Sequence, residues 1–165
     1  MTRREELRTG TTFAAIAAVL WGAYYYPKDH GRLPFQLYDA FLEVYAHVVC
    51  AIVFLIDASV RVFGHNIRGR YSMRIDPGCD AMTITLLYVA AVLATPARLS
   101  ERAEGAVLGV LAIFGANVAR LCVLYALGLY WPAAFEPMHV EWLPLALTGF
   151  AFVVFVWWTR QRATA

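Results

Sequence analysis

One charged residue, Arg120, stands alone in the apolar run of residues 105–129. A run of that kind has the length of a membrane-spanning helix, which takes about 20 apolar residues. A guanidinium at membrane depth costs roughly 2.5–3.5 kcal/mol on insertion scales. A chain keeps such a group only where something pairs with it or uses it. Asn117 precedes Arg120 by three residues, so an amide and a guanidinium share one face of the helix.

The remaining sequence agrees with a membrane setting. Of 165 residues, 61% are hydrophobic and 16% charged, with a mean hydropathy of +0.56, whereas soluble domains carry about 25% charged residues. A formal net charge of +2, without a basic run interleaved with aromatics, gives no footing to a nucleic-acid partner. Cys50, Cys79 and Cys122 show no paired spacing and no CxxC, so neither a disulfide framework nor a metal or cofactor site is expected. Cys50 and Cys122 read as small buried hydrophobes. Cys79 differs, because it sits beside Pro77, Gly78 and Asp80.

Candidate spans are residues 11–26, 41–63, 81–95 (short), 105–129 and 142–158. The first lacks a small-x-small cleavage site and reads as a retained anchor. Tyr130, Trp131, Trp142, Trp157 and Trp158 form aromatic belts with Arg160 and Arg162 beyond them. Within 41–63 and just before it, Asp39, Glu43, His47, Cys50, Asp57 and Arg61 recur at helical spacing as one polar stripe. Residues 131–141 hold no Lys or Arg, while Arg98 and Arg102 precede the 105–129 run and Arg160 and Arg162 end the chain. The positive-inside rule places 131–141 outside and both basic segments in the cytoplasm, which puts Cys79 outside as well. Parity then leaves two topologies: five spans, or four with 41–63 as an amphipathic interfacial helix. The second suits the polar stripe and Arg3, Arg4 and Arg8.

Between these helices, residues 62–67 and 70–75 read as a short hairpin around Arg68-Gly69. Asp76-Pro77-Gly78 is a turn that delivers Cys79 to the start of the next helix. The expected fold is an all-α polytopic membrane protein, a single integral domain over residues 1–165. It has four to five transmembrane helices, one amphipathic helix and a small β-hairpin before Cys79.

A cysteine at a helix N-terminus sees the positive end of the macrodipole, which favours thiolate. Arg120 lies about 12–15 Å below the outer end of its helix, and its long side chain can snorkel toward that face. There it can hold a thiolate or stabilise an oxyanion; pairing with Asp57 is the structural alternative. His139 belongs to the charge-poor outer segment and can carry a proton. Nucleophile, cation and proton carrier are the parts that acyl transfer through a thioester needs.

Gly78-Cys79 opening a helix, Asn117-x-x-Arg120 within the next and His139 before the last resemble the exosortase/archaeosortase family over residues 67–158. The short build, with one anchor, an amphipathic segment and a hairpin before the cysteine, is most similar to the exosortase H subgroup. The resemblance implies a multipass cysteine protease/transpeptidase of the bacterial inner membrane, with its active site at the outer, periplasmic face. Its partners would be the lipid bilayer and exported proteins bearing a C-terminal sorting signal: a short motif, a transmembrane helix and a basic tail. It further implies Cys79 as nucleophile, Arg120 as activating or oxyanion cation and His139 as general acid/base, with no cofactor. Family members often follow the cysteine with a small polar residue and glycine; here Asp80 and Ala81 follow. The Asp80 carboxylate opposes thiolate formation unless it is paired, and Arg74 is the candidate partner.

Asn117 can orient Arg120, donate to an oxyanion or serve an interhelical bond. Gly105-x-x-x-Gly109 reads as close helix packing. Arg61, Arg68, Arg70 and Arg74 form a basic cluster that suits lipid headgroups or an acidic stretch of substrate, Arg74 being the candidate substrate contact. The rival functional class is a non-catalytic membrane subunit or small transporter that uses the polar stripe.

Overall fold

The computed structural model describes residues 3–25, 33–76 and 78–163. The described chain is mostly helical. In order it forms α1 (Arg3–Tyr25), α2 (Leu33–Val53), β1 (Arg61–Phe63), β2 (Asn66–Arg68), β3 (Ser72–Arg74), α3 (Met82–Ala94), α4 (Leu99–Tyr130), α5 (Pro132–Pro137), a π-helical turn (Met138–Trp142) and α6 (Leu143–Ala163).

Among the described residues, two helical stretches are long and apolar enough to cross a membrane: α4, and the continuous stretch Pro132–Arg162 that α5, the π-turn and α6 build together. Val107 and Leu111 on α4 and Leu145, Phe152 and Val153 on α6 are exposed, an apolar surface of the kind that marks a membrane or protein contact. α3 has 13 residues, or about 20 Å of helix, short of the roughly 30 Å hydrocarbon core.

Residues 41–63 do not form one helix. α2 stops at Val53, and the Asp57 N–H still reaches the Val53 carbonyl at 3.0 Å as the chain turns away. The cause is local: the Asp57 carboxylate accepts the Ser59 N–H at 3.0 Å and the Ser59 hydroxyl at 2.6 Å, a side-chain pattern that competes with helical bonding. Asp57 and Arg61 therefore leave the expected stripe. Asp39, Glu43 and His47 keep it, on the exposed side of α2. The opposite side buries Leu42, Tyr45, Ala46, Val49 and Val53 at helical spacing.

The expected hairpin is a three-stranded antiparallel meander, β1-β2-β3. Val62 pairs with Ile67, and Ile67 with Met73. The extra turn falls at Gly64-His65, between the paired residues Phe63 and Asn66. Gly64 takes φ +59°, as a two-residue hairpin loop with glycine at its first central position requires.

The chain divides into two compact units. One comprises Met1–Tyr26, Met82–Phe114 and Thr148–Ala165, where α1 packs on α3. Gly105 and Gly109 of α4 are tightly covered here: a Cβ at Gly109 would run into the Tyr88 ring, and one at Gly105 into the Trp158 indole. The Tyr88 hydroxyl donates to the Gly105 carbonyl at 3.0 Å. The Gly-x-x-x-Gly spacing thus serves packing of aromatic rings against helix backbone. In the same unit Arg162 pairs with Glu101 at 2.9 Å.

The second unit comprises Pro27–Ala81 and Gly115–Leu147: α2, the sheet, the second half of α4, α5 and the π-turn. Its organising contact is Asp57. Besides Ser59, the carboxylate accepts the Arg70 N–H at 2.8 Å and the Tyr125 hydroxyl at 2.6 Å, so one buried side chain ties the sheet to α4. Gly69 permits the approach, since a Cβ there would lie 2.6 Å from both Asp57 Oδ2 and Tyr125 Oη. These bonds hold the Asp57 carboxyl well below the usual carboxylate range, the Ser59 hydroxyl first and Tyr125 next. Every residue singled out above for chemistry belongs to this unit.

Candidate active site

Cys79 is placed by its turn. Its N–H donates to the Asp76 carbonyl at 2.9 Å, and Gly78 takes φ +101°, a left-handed conformation that glycine adopts without a Cβ penalty. α3 begins only at Met82, so Cys79 precedes the helix and does not open it. Ala81, in between, is the one non-glycine residue at positive φ (57°) among the described residues. The expected thiolate is corrected accordingly. Burial pushes the Cys79 thiol up from its ordinary value; the Arg120 cation and then the backbone bond with Asp76 pull it down by less, and the Asp76 and Asp80 carboxylates add smaller contributions to the rise.

Opposite the thiol stands His139, with Cys79 Sγ and His139 Nε2 3.5 Å apart. His139 does not lie in a loop. It occupies the second position of the π-turn, within a continuous helical stretch. Its imidazole is backed by a run of rings: Phe135 at 5.4 Å between centroids, then Tyr71 at 5.8 Å from Phe135, then Tyr125 at 5.7 Å from Tyr71. Asp57 holds Tyr125 at the far end. Gly128 leaves room for the Tyr71 ring, which a Cβ there would strike.

Arg120 is buried at 7% exposure. Its partners are neutral: Nη1 donates to Asn117 Oδ1 at 3.2 Å and Nη2 to the His139 carbonyl at 3.3 Å. The Nε–H meets no acceptor, and no carboxylate lies in ion-pair reach among the described residues. Asp57 is engaged elsewhere, so the expected structural alternative for Arg120 does not hold. A buried cation whose charge no anion answers is an arrangement suited to charge that develops later.

Asn117, fully buried, links the parts. Its Nδ2 donates to the Tyr45 hydroxyl at 2.6 Å and to the Cys79 carbonyl at 2.8 Å, while Oδ1 receives Arg120. Both amide hydrogens are thereby committed, so Asn117 orients Arg120 and pins the cysteine backbone; it has no hydrogen left for an oxyanion. Asp80, also buried, accepts the Tyr38 hydroxyl at 2.5 Å and the Gly78 N–H at 3.3 Å. Arg74 does not take the expected role beside it, because its Nε donates to Asp76 at 2.8 Å on the exposed edge.

The structure therefore brings Cys79, His139, Arg120 and Asn117 together, with Asp80 one residue from the thiol. Reasoning from sequence missed Tyr45, whose signal was its place on the buried face of α2, and the His139 carbonyl as a ligand for Arg120. No protein-family model matches the chain, and no curated protein or solved structure matches it either.

Proposed function

We propose that this chain is a membrane-embedded cysteine protease/transpeptidase of the exosortase/archaeosortase kind, nearest the exosortase H subgroup. It cleaves the C-terminal sorting signal of exported proteins. One observation carries the reading: the Cys79 thiol is 3.5 Å from His139 Nε2 while Arg120, a buried cation without a carboxylate, is tied to the same His139.

In this reading His139 Nε2 takes the thiol proton as Sγ attacks the scissile carbonyl carbon. Charge builds on the carbonyl oxygen, where the remaining N–H groups of Arg120 receive it. The C–N bond then breaks, His139 returns its proton to the leaving amine, and the acyl group stays on Cys79 as a thioester. An acceptor amine or water attacks that thioester with His139 again as base, and the proton finally returns to the sulfur. Because burial keeps the resting thiol protonated, attack and proton transfer are coupled instead of relying on a standing thiolate.

The same reading places the chain in the bacterial inner membrane, with α4 and the 132–162 stretch among four to five spans and Cys79 at the outer face. Residues 131–141, free of Lys and Arg, lie outside by the positive-inside rule.

The test is Cys79→Ala assayed on a tagged protein that ends in motif, span and basic tail. Processing should be abolished while the variant stays at its normal level in the membrane. Processing at the unsubstituted rate would rule the reading out.

A further inference from the structure

His139 acts through two groups, the imidazole toward Cys79 and the carbonyl toward Arg120, and both depend on the π-turn. In an α-helix the carbonyl of residue 139 accepts the N–H of residue 143; in a π-turn it accepts that of residue 144. The Leu143 N–H is committed to the Met138 carbonyl. Residue 144 is proline, which has no N–H. The His139 carbonyl therefore has no helical donor at either spacing, and Arg120 Nη2 supplies the bond at 3.3 Å.

Proline at 144 also bears on the register. In an uninterrupted α-helix residue 144 would donate its N–H to the carbonyl of Val140, four residues back, and proline has none to give. The wider π-turn asks for no such bond to Val140 and takes in one extra residue, and one residue is about 100° of helix rotation. That rotation decides where the imidazole points, since α6 continues from Leu143 while His139 lies before it.

We infer that Pro144 is a positioning residue of the site: by withholding an N–H it leaves the His139 carbonyl to Arg120 and keeps the π-register that aims the imidazole at Cys79. The inference rests on the reading of Cys79, His139 and Arg120 as one working site.

The test follows alkylation of Cys79 by iodoacetamide against pH, resolved at the peptide level, on the full-length protein in lipid vesicles. The groups that can shape this profile are Asp76 and Asp80 beside Cys79, His139 on the π-turn, Arg120 on α4 and Tyr45 on α2, which Asn117 links to the Cys79 carbonyl. Three variants decide it. Pro144→Ala restores an N–H. Replacing Pro144 by lactic acid, a backbone ester, removes the ring yet still offers no N–H. Pro137→Ala removes the proline that ends α5, just before the π-turn, and leaves the donors available to the His139 carbonyl unchanged.

Pro144→Ala should move the profile to higher pH by about one unit and slow alkylation near pH 8 by about tenfold, as the Arg120 cation loses its anchor beside the thiol. The ester and Pro137→Ala should follow the unsubstituted protein. The inference is overturned if Pro144→Ala leaves the profile in place, if the ester behaves like alanine, or if Pro137→Ala causes the same shift. No substrate enters this measurement, so its failure is distinct from failure of the processing test on Cys79→Ala.

Discussion

Arg120 Nη2 lies 3.3 Å from the carbonyl oxygen of His139, so a buried cation is held by a backbone dipole where an ion pair would be the usual solution. A carboxylate would have neutralised it. Neutral acceptors fix its position and leave its charge available, as the proposed oxyanion role requires.

Under the proposed function Arg120→Lys should therefore fail although it keeps the charge. An ammonium cannot reach Asn117 Oδ1 and the His139 carbonyl with the planar fork that guanidinium offers. A fall in kcat of about 100-fold or more is expected, the range for losing one oxyanion donor, with the amount of protein in the membrane unchanged. Near-normal turnover by the lysine variant would show that position 120 needs only charge.

Asn117 and Tyr45 predict a graded pair. Asn117→Ala strands the Cys79 carbonyl and frees Arg120 Nη1 in a buried place, a loss of about 2–3 kcal/mol. Tyr45→Phe removes the acceptor of one Asn117 N–H and should cost about 1 kcal/mol. Thermal unfolding in detergent measures both. Equal losses would mean that the Tyr45 hydroxyl, and not the cysteine backbone, is the bond that matters.

Part of this site could be read from the residues. Asn117 and Arg120 fall three apart in an apolar run, so a shared buried face followed from helix geometry alone. Cys79 stood out because a turn sequence precedes it. The π-turn was hidden, since five residues at its period look like an ordinary helical turn or an outer loop. Its signal was Pro144, five residues after His139, and that signal acts through a missing hydrogen which no hydropathy pattern records. The third strand was missed for a similar reason: Gly64-His65 makes a two-residue loop inside what reads as one continuous strand. Asp57 misled in the other direction. Its spacing from Asp39 fits a helical face, but its carboxylate gathers Ser59, Arg70 and Tyr125 and so belongs to the turn that ends α2.

Ala81 sits at φ 57° directly after Asp80, where a side chain costs roughly 1–2 kcal/mol relative to glycine. Glycine gives back about 0.4–1 kcal/mol through its freedom in the unfolded chain. Ala81→Gly should then stabilise by up to about 1.6 kcal/mol, seen as a Tm higher by up to about 3–6 °C. Processing should be unaltered, because the Cys79 turn is closed by its own bond to Asp76. A lower Tm would mean that the Ala81 methyl, which is buried, contributes more through packing than its backbone conformation costs.

Asp57 sets a pH dependence whose sign follows from its bonds. Donors from Ser59, Tyr125 and Arg70 favour the carboxylate, so its acidity in the folded protein lies below the unfolded value of about 3.9. The folded state thus binds the Asp57 proton more weakly than the unfolded chain does. The stability it contributes is fully present above about pH 4 and is lost as pH falls through the depressed folded value. In Asp57→Asn that contribution is absent at every pH: the variant should unfold more readily at pH 7, and the gap between the two proteins should narrow steadily below pH 4. The same variant loosens Tyr125, and with it the ring run through Tyr71 and Phe135 that backs His139. Alkylation of Cys79 near pH 8 should therefore change although the substitution lies outside the thiol's surroundings. A gap in stability that stays constant from pH 7 to pH 3 would show that the Asp57 bonds hold the neutral acid as well as they hold the carboxylate.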